Sequence, residues 1–218
     1  MKKIGHLELI FGSMYCGKSE ELIRRLKRAK IAGYKCQLFK PSMDDRYANN
    51  HIFTHDTHEN KELVKKMIED SIGKCSDEVI NDIVTKLSNA MSAQSVKDSA
   101  EIMCLIEDDV EVVGIDEVQF FDDNLINVVK ELISKGKIVI ASGLDMYASG
   151  EPFGNVIPYL ACISKYIDKL HAVCLDCGNE AVYSHMLENT GNTDSKVEIG
   201  SKGKYIALCE SCRVERMN

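Results

Sequence analysis

Residues Gly12-Ser13-Met14-Tyr15-Cys16-Gly17-Lys18-Ser19 read G-x-x-x-x-G-K-S and directly follow a short apolar run, residues 7–11. A strand, a glycine-bounded loop and a helix in that order form a phosphate-binding loop: backbone N–H groups wrap a polyphosphate and the helix N-terminus adds its dipole. Lys18 can then reach the terminal phosphates and the Ser19 hydroxyl can ligate Mg2+. The alternative is a plain glycine turn before a helix with Lys18 solvated, and the strand and helix context disfavours it. A second pair of chemical groups, Asp116-Glu117, ends the apolar stretch 110–115. Beside a phosphate loop, Asp116 suits Mg2+, directly or through water, and Glu117 can take a proton from an attacking nucleophile. Without that loop the two acids would read as the solvated start of a turn.

The third constellation is Cys174-Leu-Asp-Cys177 with Cys209-Glu-Ser-Cys212. Two C-x-x-C knuckles can present four thiolates tetrahedrally to a structural Zn2+, leaving no open position for catalysis. The gap between the knuckles exceeds the usual zinc-ribbon spacing, but closure entropy grows only logarithmically with loop length. Two such pairs together disfavour redox C-x-x-C chemistry. His51, His55, Asp56 and His58 lie in a polar stretch with no helical spacing to unite them and are not read as a metal site. Met14 and Tyr15 are not needed for phosphate. They either line an adjoining pocket or pack beneath the loop.

These groups need a scaffold. Residues 7–11, 35–40, 110–115 and 137–141 read as strands. Residues 19–32 read as a helix stopped by Gly33, and a helix with Leu125, Val129, Leu132 and Ile133 on one face is capped by Asp122 or Asp123. Helical spacing also recurs over 62–72 and 78–91, separated by 71–76, and over 156–170 with an interruption at Pro158. Residues 142–154 read as a glycine-bearing loop. Strands alternating with helices predict an α/β fold with a parallel sheet covered on both faces. The expected organisation is an α/β nucleotide-binding domain over 1–170 and a small zinc-ribbon-like domain over 171–218.

The chain has 218 residues, 44% hydrophobic and 28% charged, with a net charge of −7. It is long enough for one good core and a small appendage. An acidic chain is a poor binder of nucleic acid through its phosphates, and the basic cluster 24–30 is expected to be a solvated helix face. The cysteine module mixes Lys196, Lys202 and Lys204 with Asp176, Glu180, Glu188, Asp194 and Glu198, which also argues against nucleic acid. No apolar run reaches membrane-spanning length and no signal peptide is evident, so a cytoplasmic protein is expected. There the nine cysteines are not expected to form a disulfide framework.

Phosphate loop, Asp-Glu strand end and four-cysteine unit, in this order, resemble the type II thymidine kinase family. Residues 12–25 (GSMYCGKSEELIRR) are similar to its phosphate loop and first helix, Asp44-Asp45-Arg46-Tyr47 to its D-x-R segment, and 113–121 (VGIDEVQFF) to its acidic motif. Gly143-Leu144-Asp145 and 150–154 resemble its next loop, and 169–177, Lys204-Tyr205 and 209–212 its zinc domain. The resemblance implies transfer of the γ-phosphoryl of ATP to the 5′-hydroxyl of thymidine. It assigns ATP binding to Gly12–Ser19 and to Asp116, Glu117, Val118 and Gln119. Mg2+ falls to Ser19 and Asp116, phosphate charge to Lys18 and Arg46, and the general base to Glu117. Met14, Phe120, Leu144, Ser184 and Tyr205 would line the thymine pocket, with Lys196, Val197, Glu198, Ile199 and Gly200 closing over the nucleoside. It further implies a homotetramer inhibited by thymidine triphosphate. The chain departs from the family at Ala148, where a phenylalanine usually faces the nucleoside, so either the pocket is looser or Tyr147 substitutes. Ser184 replaces a threonine, and 57–110 is longer and helical in pattern, an apparent insertion. Two other readings are weighed: a different phosphate-loop ATPase or kinase with a small-molecule acceptor, and a binding module whose zinc unit contacts nucleic acid.

Overall fold

The computed structural model describes residues 4–42, 51–52, 91–187 and 204–217. Its centre is a six-stranded parallel sheet built from β1 (His6–Gly12), β2 (Cys36–Pro41), β5 (Gln94–Val96), β6 (Val112–Ile115), β7 (Ile138–Leu144) and β8 (Tyr166–Leu170). The spatial order is β5-β2-β6-β7-β1-β8, and every pairing is parallel. Two residues each, β3 (His51–Ile52) and β4 (Met91–Ser92), form a separate antiparallel ladder.

Both faces of this sheet are covered, which is why its central strands read as near-continuous apolar runs. On one face α1 (Lys18–Ile31) lays Leu22, Ile23 and Leu26 over Ile10, Leu38, Val112 and Ile140. On the other, α2 (Ser99–Leu105), α3 (Leu125–Ser134) and α4 (Val156–Ile163) cover Leu7, Leu9, Phe39, Val113, Ile115, Val139 and Ala141. Helix α2 is closed by a reciprocal cap, Asp98 accepting from the Glu101 N–H at 3.0 Å and Glu101 from the Lys97 N–H at 2.7 Å. After β8 the chain makes β9 (Ala172–Val173) with β10 (Glu180–Ala181), β11 (Tyr183–Met186) with β12 (Tyr205–Leu208), and α5 (Glu210–Met217).

Four expectations need correcting. Residues 156–170 are not one helix: α4 ends at Ile163, and the Ser164 hydroxyl caps the Leu160 carbonyl at 2.7 Å. Lys165 N–H then donates to Leu7 O at 2.8 Å and β8 joins the sheet beside β1. Pro158 causes no interruption, because it lies in the first turn, where no intrahelical N–H is required. Neither Asp122 nor Asp123 is the cap of α3, which starts after Asn124; Asp122 instead accepts from the N–H and hydroxyl of Ser99 and from the Asn124 N–H. The stretch 91–110 is not a helical insertion, since β5 is an edge strand of the main sheet and α2 packs against α3; the helix expected over 78–91 does not include Met91, which is strand. The helices expected over 62–72 and most of 78–91 lie outside the described residues.

The basic cluster on α1 is also not simply solvated. Arg25 donates to Glu21 at 2.8 Å, to Glu8 of β1 at 2.7 Å and to Asp168 of β8, tying α1 to two strands.

Candidate active site

All six strands of the parallel sheet end at one edge, and the chemistry predicted from sequence gathers there. The loop after β1 needs glycine for space: a Cβ on Gly12 would stand 2.1 Å from the Leu170 carbonyl oxygen. At the other end of the loop Gly17, with φ 83°, turns the chain into α1. Tyr15 also sits at positive φ, 65°. Lys18 arches back so that Nζ donates to the Ser13 carbonyl at 2.7 Å and lies 3.8 Å from Cys16 Sγ. Burial pushes the Cys16 thiol up, outweighing the pull of Lys18.

The two expected Mg2+ ligands meet. The Ser19 hydroxyl donates to Asp116 Oδ2 at 3.0 Å, while the hydroxyl of Ser142 on β7 donates to Oδ1. Asp116 is 4% exposed. Burial and the neighbouring Glu117 carboxylate push it up to about 7, against the opposing pull of both hydroxyls. A divalent cation at this spot would supply the missing countercharge, and the hard oxygen donors fit magnesium.

Glu117 leaves the strand in the left-handed region, φ 52° and ψ 43°, and opens a 3-10 turn, Val118–Phe120. Backbone in this region is costly for a residue with a Cβ. The Gln119 amide holds Glu117 Oε2, and its own oxygen accepts the Leu144 N–H at 2.9 Å. That bracket requires Gly143, where a Cβ would lie 2.6 Å from Gln119 Oε1 and 2.8 Å from Val118 Cγ2.

An aromatic wall stands next to this turn. Phe120 meets Phe153 edge-to-face at 5.7 Å, and Phe153 stacks on Tyr147 at 4.0 Å. Sequence reading missed Phe153, whose only signal was its place in the Gly150–Gly154 block. Tyr147, not Ala148, supplies the bulk of this loop. Asp145, one residue past β7, is 8% exposed, and neither carboxylate oxygen receives a hydrogen bond among the described residues. Lys169 Nζ lies 3.1 Å from Oδ2 as an ion pair outside hydrogen-bond geometry.

The C-terminal module docks on the phosphate loop rather than standing apart. Ser13 Oγ donates to Ala181 O at 3.3 Å, the Met14 N–H to Ser184 Oγ at 2.9 Å, and the Tyr15 hydroxyl to Tyr205 O at 3.2 Å. Ser184, 7% exposed, therefore serves the backbone of the loop. Within the module Cys174, Cys177, Cys209 and Cys212 bring all four sulfurs within 4.8 Å of one another, with Cys177 and Cys209 3.6 Å apart. Sulfurs on a tetrahedral Zn2+ lie about 3.8 Å apart for bonds of ~2.3 Å, so the four fit that ion. The Cys209 N–H pulls the Cys174 thiol down to about 6 against its burial, while contacts among the sulfurs push Cys212 up. Arg46 and Lys196, Val197, Glu198, Ile199 and Gly200 lie outside the described residues, as do His55, Asp56 and His58. No helix among the described residues is long and apolar enough to cross a membrane.

A family model described as thymidine kinase matches residues 5–79 and 63–213. Thymidine kinase of Bacteroides thetaiotaomicron is 37% identical over 211 residues, covering 97% of this chain and 88% of the relative. That of Bacteroides fragilis strain YCH46 gives the same identity and coverage. Among solved structures, flagellar accessory protein FlaH from Methanocaldococcus jannaschii superposes with a TM-score of 0.45 at 14% identity, over 77% of this chain and 71% of that one, too distant to inform the site.

Proposed function

Because this chain belongs to the thymidine kinase family, we propose that it transfers the γ-phosphoryl group of ATP to the 5′-hydroxyl of thymidine at the edge where Gly12–Ser19 and Asp116–Glu117 meet. The observation that carries this reading is the 3.0 Å contact between Ser19 and Asp116, with Glu117 next in the chain and held by Gln119. Phosphate oxygens would be held by the loop N–H groups, including those of Gly17 and Lys18. Ser19 and Asp116 would hold magnesium, which would supply charge neutralisation on the phosphates.

Glu117 accepts the proton of the 5′-hydroxyl as the new O–P bond forms and the bond from the γ-phosphorus to the ADP oxygen breaks. Lys18 swings from the Ser13 carbonyl to the transferring group, where charge spreads over three equatorial oxygens. Asp116 would be ionised when it holds magnesium, and Gln119 keeps the Glu117 carboxylate in place. The nucleoside base would lie against Phe120, Leu144 and the Tyr147–Phe153 wall, with Met14 and Tyr205 closing the other side. Arg46 and residues 196–200 complete the phosphate and nucleoside contacts on the strength of the family resemblance, which also supports a homotetramer, inhibition by thymidine triphosphate and a structural Zn2+ on the four cysteines.

The test is ADP formation with each deoxynucleoside offered separately. Thymidine-dependent ADP with matching thymidine monophosphate is expected. ADP formed at the same rate without nucleoside would instead identify an ATPase in which Glu117 activates water.

A further inference from the structure

Arg213 follows Cys212 on α5 and reaches the loop after β7. Its Nη2 donates to the Ser149 carbonyl at 2.6 Å and lies 3.5 Å from the Ala148 carbonyl. The guanidinium carbon sits 4.3 Å from the centre of the Tyr183 ring. Tyr183 precedes Ser184, whose hydroxyl accepts the Met14 N–H. One side chain thus touches the strand that holds the phosphate loop and the loop that carries the aromatic wall. Only a planar fork with several donors can grip carbonyls and cover a ring at once.

The gripped loop is closed by its own backbone hydrogen bonds. Tyr147 N–H donates to Glu151 O, Gly150 N–H to Tyr147 O and Phe153 N–H to Asp145 O, each at 2.9 Å. It presents Tyr147 on Phe153, and Phe153 on Phe120, three residues from Glu117. The start of α5 is fixed in turn by the cluster, since Cys209 and Cys212 lie on either side of its first turn and Arg213 N–H donates to Cys209 O at 3.0 Å.

We propose that Arg213 is a positioning residue that transmits the order of the four-cysteine cluster to the aromatic wall, so that nucleoside affinity, and not ATP affinity, depends on it. This rests on the reading of that wall as the nucleoside pocket. Among the described residues Arg213 makes no hydrogen bond or ion pair with the phosphate loop, Asp116 or Glu117, and its contact on that side is the Tyr183 ring, so its larger effect should fall on the nucleoside.

The experiment is steady-state kinetics of the zinc-loaded full chain as wild type, Arg213→Ala, Arg213→Lys, Tyr147→Ala and Arg213→Ala/Tyr147→Ala. Arg213→Ala is expected to raise KM for thymidine about tenfold, with KM for ATP changed less than about twofold and zinc content unchanged. Arg213→Lys recovers little of the loss, because an ammonium cannot grip the carbonyls and cover the ring at once. The double variant is no worse than Tyr147→Ala alone, because the arginine acts through that loop. Equal rises in both KM values, or effects that multiply in the double variant, overturn the proposal. Should Arg213→Ala not fold, the same cycle with Arg213→Gln carries the same expected and overturning results. Absence of thymidine-dependent turnover in the wild type would instead sink the functional reading itself.

Discussion

The Glu117 carboxylate depends on a short relay of side chains. Gln119 holds it, Leu144 N–H holds Gln119, and Gly143 leaves the space for both. Gly143→Ala places a methyl group 2.6 Å from the Gln119 oxygen. It is expected to lower kcat by roughly ten- to a hundredfold by misplacing the base, with KM for ATP nearly unchanged, as steady-state kinetics would show. Ser184 stabilises the phosphate loop from the other side. Ser184→Ala leaves the Met14 N–H without its acceptor and should cost about 1–3 kcal/mol in denaturant unfolding. A variant as stable as wild type would show that the amide finds another partner.

At the scale of elements, α1 is joined to β1 and β8 through Arg25, with Glu21 between Arg24 and Arg25. The hydrogen bond from Arg24, with those from Arg25, holds the Glu21 carboxyl down to about 2. A carboxyl lowered in the folded state stabilises the protein above its unfolded pKa of about 4.3 and loses that contribution as pH falls toward about 2. Glu21→Gln should therefore be less stable than wild type at neutral pH, and the gap should close between about pH 4.3 and 2 in acid unfolding curves. High salt should narrow the neutral gap, since these groups are partly solvent-exposed.

The same elements show what was readable from sequence. β1, β2, β6 and β7 were legible because two-sided burial leaves uninterrupted apolar runs. β8 was not: Tyr166–Leu170 is mostly exposed on an edge, so its identity comes from pairing with β1 and not from its own pattern. β5 has three residues, two of them exposed. The phosphate loop, Asp116–Glu117 and the cysteine knuckles were legible because each is a local spacing with one chemical use. Phe153, Gln119's link to Leu144 and the grip of Arg213 are tertiary, formed between segments that no local pattern connects.

In the whole molecule, the cysteine module and the sheet share the phosphate loop as a common wall. Ser13, Met14 and Tyr15 each bond to the module. Cys209→Ser should reduce bound zinc and raise KM for thymidine more than KM for ATP, with metal analysis and kinetics run on the same sample. Fully active protein containing no zinc would contradict that coupling. The central chemical assignment is tested by Glu117→Gln, measuring thymidine-dependent ADP formation beside ATP binding. Turnover should fall on the order of a hundredfold or more while ATP affinity stays within about twofold. Undiminished turnover would show that Glu117 does not take the proton of the accepting hydroxyl.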